Sequence, residues 1–545
     1  MKRNRTQGGL SRRDFIKGAA AAGAAVAATG TGLIRGAEAA RAPTVTPPVC
    51  LTGSGDIALI NGRFLTLDKN NTVVGAVTIR NGRFAEIGTV GTLGPCSQTI
   101  DLQGRTVIPG LIDDHVHFIR TGTNPGHEVR IIETATSIAE LQQMISNRIQ
   151  ELSLPPGEFV TCMGGWNRNG LTERRLPTLA ELNAAAPQHP LFLAETGGGG
   201  QAVTNSAGSP FFQSRGVTVN ATTGVLNSAQ GFAALQAAQT EDEKLRGTAE
   251  NMDFAASVGV TMLHDAGQSA FTFDTLAAQY QYAVTLWQQG KLKVRHRLYF
   301  NTGNDTGISA MQARIINNII RMGDDLWRLN GVGESMITPR TSPLFIDGCK
   351  YAAANGWTLT THSLLVAENQ FQVAAFQAAN AVRSISDLRW SLAHVNSITP
   401  DLVQALIAMG AAVTLEGWQY TSTSGGPPYR MLFDSGIHMG GGTDSANVGP
   451  FNPWLMIYYM TTGKNNAGTV INPGQQLTRL EALKTYTSGS AWLSFDDDKL
   501  GTIETGKLAD LAVLSADPLT VSDDGLKKIR SVLTLQAGKV VHSSS

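Results

Sequence analysis

Between Pro109 and Asp444 the chain alternates short apolar runs with helix-length segments eight times over, and few folds accept that rhythm. The runs are PGLIDDHVH (109–117), 260–265, 294–300, 329–334, 357–362, 389–394, 411–416 and 437–444. Thr399-Pro400 opens one intervening helix and Gly410 closes it. The pairs Ser137/Glu140 and Thr478/Glu481 have the spacing of capping boxes. Hydrophobic residues make up 42% of the chain and charged ones only 16%, which suits a loop-rich α/β protein with buried strands. Eight β/α units predict a TIM-type (β/α)8 barrel, whose functional side chains gather at the C-terminal ends of its strands.

The two flanks read as β structure. Apolar runs at 57–60 and 63–67 surround Asn61-Gly62, and runs at 76–79 and 83–87 surround Asn81-Gly82. Asn-Gly between apolar runs predicts a hairpin, because both residues tolerate positive φ. The C-terminus repeats the character at 510–514, 532–535 and 538–541. Neither flank is long enough to bury a face alone, so the two are expected to pack together as a small β-sandwich made from both chain ends. The expected organisation is a leader at 1–39, sandwich at 50–108 and 499–545, and a barrel at 109–498 with an insertion at about 118–251.

The leader carries the most specific targeting signal. Ser11-Arg12-Arg13-Asp14-Phe15-Ile16-Lys17 has the twin-arginine form, followed by an Ala/Gly run and the A-x-A cleavage site Ala37-Glu38-Ala39. This predicts export by the twin-arginine machinery to the periplasm or beyond, with no stable membrane anchor after cleavage. The leader holds seven of the 43 basic and two of the 43 acidic residues, leaving 36 against 41, a balance with no footprint for nucleic acid. An oxidising compartment permits a Cys50–Cys96 disulfide, since both flank the same β segment, while four unpaired thiols fit equally well. Oligomeric state leaves no trace in the sequence.

The chemistry concentrates at strand ends. In an extended chain residues two apart share a face, so PGLIDDHVH places Asp113, His115 and His117 together. Two imidazoles so placed reach one divalent ion at nitrogen–metal distances of about 2.0–2.1 Å for zinc. His117, Asp265, Glu334, His362, His394 and Asp444 all close predicted strands, with His264 adjacent. Such a joint placement predicts a metal centre holding one or two divalent ions. Zinc suits the donors, as do manganese, iron and cobalt.

These motifs resemble the amidohydrolase superfamily, in the branch called amidohydrolase family 3, from about residue 55 to 541. The resemblance rests on PGLIDDHVH, Gly164-Gly165-Trp166, GVTMLHDAG, strand-terminal His362 and His394, Thr443-Asp444, and the tail GTIETGKLADLAVLSADP. It implies His115, His117, His362 and His394 as metal ligands, with Asp444 as ligand and proton acceptor. Many relatives carry a carboxylated lysine on the fourth strand; here Gly333 or Glu334 takes its place, so Glu334 is the expected bridging carboxylate and Lys350 the second choice. An Asp-Gly-His usual ahead of an Asn-Ser pair is replaced by glycines at 197–200 before Asn205-Ser206, so no histidine role carries over there.

The activity so implied is hydrolysis of a C–N bond in a small amide, N-acyl compound, formamide or cyclic amide. Metal-bound hydroxide would attack the carbonyl carbon while Asp444 relays the proton to the leaving nitrogen. Substrate contacts are assigned to His264, Asp265 and Trp166, and Asp113 is expected to orient a ligand histidine. The same site also suits a deaminase or a non-hydrolytic lyase or isomerase. A reading from another class is a catalytically inactive small-molecule-binding protein on the same scaffold.

Overall fold

The structure, a computed structural model, describes residues 55–544 apart from 197–199, 268–272, 302–306, 338 and 446–447. The twin-arginine leader, Cys50 and most of the glycine run at 197–200 lie outside the described residues. Cys96 is disulfide-bonded, whereas Cys162 and Cys349 are buried free thiols.

Eight parallel strands carry the centre of the molecule: Leu111–Val116, Val260–Asp265, Arg295–Phe300, Trp327–Val332, Thr360–Ser363, Ser391–His394, Ala412–Glu416 and Met439–Gly442. They are called the first to eighth strands below. The first four form one sheet and the last four another, each with neighbours in chain order. A parallel bridge between Val332 and Leu359 joins the fourth strand to the segment entering the fifth. At the other junction Asp444 N donates to His115 O at 2.8 Å, and His117 N donates to Ser445 O at 2.8 Å. The chain just past the eighth strand is therefore stitched to the first strand at its two histidines.

Glycine makes that junction possible. The eighth strand reads Met439-Gly440-Gly441-Gly442, and a Cβ added to Gly442 would lie 2.7 Å from His115 Cβ. One added to Gly440 would lie 1.5 Å from Asp114 Oδ2. No side chain fits between the two strands here.

A buried ion-pair cluster ties the third and fourth strands to Asp496 and Asp510 near the C-terminus. Arg297 Nε and Arg328 Nη2 each donate to Asp496 Oδ2 at 2.8 Å. Arg295 grips Asp510 through two bonds of 2.8 Å. Charges this deeply buried are tolerated because each carboxylate is met by a guanidinium.

The chain ends meet in one six-stranded sheet, in which Leu511–Leu514 pairs antiparallel with Thr106–Pro109. A second, four-stranded sheet faces a shared core that includes Leu59, Phe84, Val107, Leu511 and Leu535. Asn81-Gly82 makes the expected hairpin, with φ of 51° and 74°. Asn61-Gly62 does not: strand Ile57–Ile60 pairs with Val77–Arg80 and Gln98–Asp101, while Arg63–Leu65 joins the other sheet. Only Asn61 is left-handed there, at φ 53°, and a hairpin turn of this type needs positive φ at both central residues. The dipeptide thus hands the chain from one sheet to the other.

Between the first and second strands the chain builds a further five-stranded sheet, in the order Val225–Asn227, Gln201–Val203, Leu191–Ala194, Val160–Met163, His127–Glu128. It has its own core around Ile132, Leu141, Trp166 and Leu182. Two bonds fasten it to loops beyond the seventh and eighth strands: Asn167 Nδ2 donates to Thr421 O at 2.8 Å, and Phe451 N donates to Glu133 Oε1 at 3.0 Å.

Candidate metal centre

The first, fourth, fifth, sixth and eighth strands deliver their terminal side chains to one point. His115 and His117 leave the first strand on one face, as an extended chain requires. Glu334 lies two residues past the fourth strand and Asp444 two past the eighth. His394 and Asp444 hold left-handed backbones at φ 73° and 54°, a conformation that costs a non-glycine residue free energy and persists where surrounding bonds impose it. For Asp444 that bond is its own N–H to His115 O.

Glu334 is the hub. Its Oε2 lies 3.4 Å from His115 Nε2, 3.5 Å from His362 Nδ1 and 3.7 Å from His394 Nε2. Its Oε1 is 3.4 Å from His117 Nε2, and Asp444 Oδ1 is 3.3 Å from the same nitrogen. Donors on a tetrahedral ion with bonds of about 2.0–2.1 Å stand roughly 3.3–3.4 Å apart, so these are spacings a cation can bridge. Three overlapping sets have suitable ligand atoms within 4.8 Å of one another: His115/His394/Asp444, His115/His117/Glu334 and Glu334/His362/His394.

The electrostatics favour positive charge at this point. Burial pushes the Glu334 carboxyl up, but the four imidazoles overcome it and hold the group well below its ordinary range. Burial pulls His117 down, yet Asp444 and Glu334 raise it to about 10. His394 is likewise driven well above its usual value against burial, chiefly by Glu416 and Glu334. Only His362 is lowered, by burial together with His394 and Arg340. Its side chain is 23% exposed, against 1% for His115 and His394 and 9% for His117.

Glu416 escaped the sequence reading. It closes the seventh strand, with Oε1 3.4 Å from His115 Nδ1 and Oε2 2.8 Å from His394 Nδ1. A carboxylate behind two imidazoles sets which ring nitrogen faces forward. Its signal was available, an acid at a strand's C-terminal end, the same mark that singled out Glu334.

The remaining candidates sit elsewhere. Asp113 accepts from Thr443 N at 2.9 Å and Thr443 Oγ1 at 2.6 Å, tying the first strand to the residue before Asp444. Asp265 accepts from Ile119 N at 2.8 Å and Gly267 N at 3.1 Å. His264 is buried, its ring centroid 6.3 Å from Tyr299, and burial with the Arg297 charge drives it down to about 3. Trp166 is buried in the inserted sheet's core and lines a small cavity with Ile132, Glu133 and Tyr420. Asn205 fixes a turn, donating to Ala186 O and His189 O at 2.9 Å each. Lys350 is 43% exposed on helix Pro343–Ala354, 3.9 Å from Asp347, and takes no part in the cluster.

Comparison with known proteins places the chain in a family. The family described as "Amidohydrolase family" matches residues 98–542, and a twin-arginine translocation pathway signal sequence matches residues 9–29. N-substituted formamide deformylase from Arthrobacter pascens is 24% identical over 554 residues, covering 90% of this chain and 98% of its own. An uncharacterized metal-dependent hydrolase from Pyrococcus horikoshii shares the fold with a TM-score of 0.56 at 18% identity, covering 86% of this chain and 99% of its own. So does an atrazine chlorohydrolase from Arthrobacter aurescens, solved with zinc, at TM-score 0.54 and 17% identity over 89% and 95% of the two chains. The signal sequence marks the protein for twin-arginine export to the periplasm or beyond. No helix among the described residues is long and apolar enough to cross a membrane. The chain belongs to the amidohydrolase family.

Proposed function

We propose that the mature protein hydrolyses the C–N bond of a small amide, N-acyl compound, formamide or cyclic amide, using divalent ions held by His115, His117, Glu334, His362, His394 and Asp444. The eight strands are taken as a closed (β/α)8 barrel at 109–498, carrying an insertion at about 118–251, and the two flanking sheets (50–108 and 499–545) as a β-sandwich. The strand-junction bonds at His115 and His117 and the bridge at Val332 support the first reading. The shared core of Leu59, Val107 and Leu511 supports the second.

The observation that carries the proposal is the position of Glu334, which stands with one oxygen toward three imidazoles and the other toward a fourth. The donor set fits a divalent cation. Glu334 Oε2 and His115 Nε2 are buried without a well-formed hydrogen bond, and neighbouring acids drive three of the four histidines toward positive charge. His115, His117, His362, His394 and Asp444 would hold the divalent metal with Glu334, whose Oε2 faces three of the imidazoles and Oε1 the fourth, so that its carboxylate could be shared if two ions bind. Imidazole and carboxylate donors suit zinc.

A bound divalent ion supplies Lewis acidity, polarising an amide carbonyl and bringing the pKa of water from 15.7 to about 7. The chain's own groups do the rest. Asp444 takes a proton from the attacking water and returns it to the departing nitrogen, a relay for which a carboxylate beside the reacting oxygen is suited. His117 Nδ1 lies 2.8 Å from Gly267 O, a bond that fixes the ring with Nε2 toward the centre. Glu416 stands behind His115 and His394, its oxygens 3.4 and 2.8 Å from their Nδ1 atoms. The similarity to a formamide deformylase makes N-substituted formamides the first compounds to try.

The test is elemental analysis of leaderless protein together with hydrolysis assays on formamides, N-acyl compounds and cyclic amides, before and after chelation. Stoichiometric divalent metal and turnover that is lost on chelation and restored by added metal are expected. Metal-loaded protein that turns over no member of the panel would overturn the reading.

A further inference from the structure

We propose that Arg340 recognises a carboxylate on the substrate, so that the preferred compounds are N-formyl or N-acyl amino acids; this rests on the hydrolytic reading above. The opening of the centre lies on the His362 side, since that imidazole is 23% exposed while its three partners are nearly covered. Arg340 stands at this opening. Its Nε donates to Glu334 O at 3.4 Å, and His362 N donates to the same carbonyl oxygen at 3.4 Å. The guanidinium and the exposed ligand histidine thus meet at one atom of the bridging residue. A second long bond runs from Nη2 to Ser335 Oγ at 3.4 Å.

No carboxylate among the described residues lies within ion-pair distance of Arg340. The contrast with Arg295, Arg297 and Arg130 is sharp. Arg295 and Arg297 are each gripped by an acid at 2.8 Å, and Arg130 by Glu128 and Glu133 at 2.6 and 3.0 Å. A guanidinium has five N–H donors in a planar fork, and Arg340 commits two of them, at long range. A fork with free donors beside a reacting centre matches a carboxylate in two-point contact, where a lysine would offer only a point charge. In the reaction water adds across the C–N bond, releasing formate or another acid and the free amino acid. The recognised carboxylate itself is unchanged.

The experiment compares N-formyl-leucine with its uncharged counterpart N-formyl-leucinamide, in wild type, Arg340→Gln and Arg340→Lys, with metal content measured in each. The wild type is expected to favour the acid, and Arg340→Gln to cut the acid-to-amide ratio of kcat/KM at least tenfold, through KM. Arg340→Lys should recover that ratio only in part. A ratio unmoved in Arg340→Gln, or a wild type with no preference for the acid, overturns the inference and leaves the hydrolytic reading standing. If neither compound is turned over, calorimetric binding decides: N-formyl-leucine held by wild type and lost in Arg340→Gln supports the subsite, and equal binding refutes it.

Discussion

Glu416 places Oε2 2.8 Å from His394 Nδ1 and accepts the main-chain N–H of His394 at the same distance. One oxygen thereby holds the left-handed backbone of His394 and stands beside its ring, while the other oxygen lies 3.4 Å from His115 Nδ1. Partners of this kind change metal affinity by about 10–100-fold when removed. Glu416→Gln should therefore weaken divalent-metal binding by that order in a competition titration against a chelator. Affinity equal to wild type would show that the two imidazoles are oriented without it.

Asp444→Asn keeps an oxygen near His117 but removes the proton acceptor. Turnover should fall by roughly 10²–10⁴-fold, the usual contribution of positioned acid–base groups, while metal content stays close to wild type. Parallel measurement of kcat and bound metal checks both halves. Wild-type turnover would exclude the relay.

Glu334→Ala removes the hub between the two ligand groups. Metal stoichiometry should drop by at least one ion per chain, read by elemental analysis after dialysis. Equal stoichiometry in variant and wild type would rule out a bridging role.

Burial pushes the Asp496 carboxyl up, but Arg297 and Arg328 more than offset it and hold the group at about 2, below its ordinary 3.8. A carboxylate depressed in the folded state adds stability that is present above the unfolded value and is lost as pH falls from about 4 toward 2. Asp496→Asn should leave two buried guanidiniums without their acid, cost about 3–5 kcal/mol, and flatten the acid limb of the stability curve. Thermal melts between pH 2 and 7 measure both effects.

Gly442→Ala tests the strand junction behind the centre. The new methyl would stand 2.7 Å from His115 Cβ and 2.8 Å from His115 N, neither of which can move without shifting the first strand. Overpacking of this kind costs typically 1–3 kcal/mol, and a displaced His115 should also weaken metal binding. Melting temperature and chelator titration, taken together, separate the stability effect from the ligand displacement.

Much was legible without coordinates because the strand rhythm and the strand-end rule are local facts. The period of the runs placed all eight parallel strands, and their C-terminal ends marked His117, Glu334, His362, His394 and Asp444 before any distance was known. Thr478 and Glu481 form the capping box their spacing implied. At Ser137 only half of it appears, since Glu140 turns its carboxylate to Thr136 N instead. Periodicity did not disclose the sheet inside the insertion, whose short strands are too brief to stand apart from loops.

What the chain alone determined was an inventory: which residues end strands, which dipeptides turn, which leader is read for export. What only the tertiary structure decided was partnership. Asn61-Gly62 and Asn81-Gly82 are the same two letters, yet one crosses between sheets and the other closes a hairpin, because φ at the glycine answers to the packing around it. Glu416 bears the strand-end mark and Arg340 bears none, but which side chains each one faces is decided only when the strands stand side by side. A side chain's chemistry is written in its own residue, but the field it feels comes from neighbours tens to hundreds of positions away, and folding alone brings them within reach.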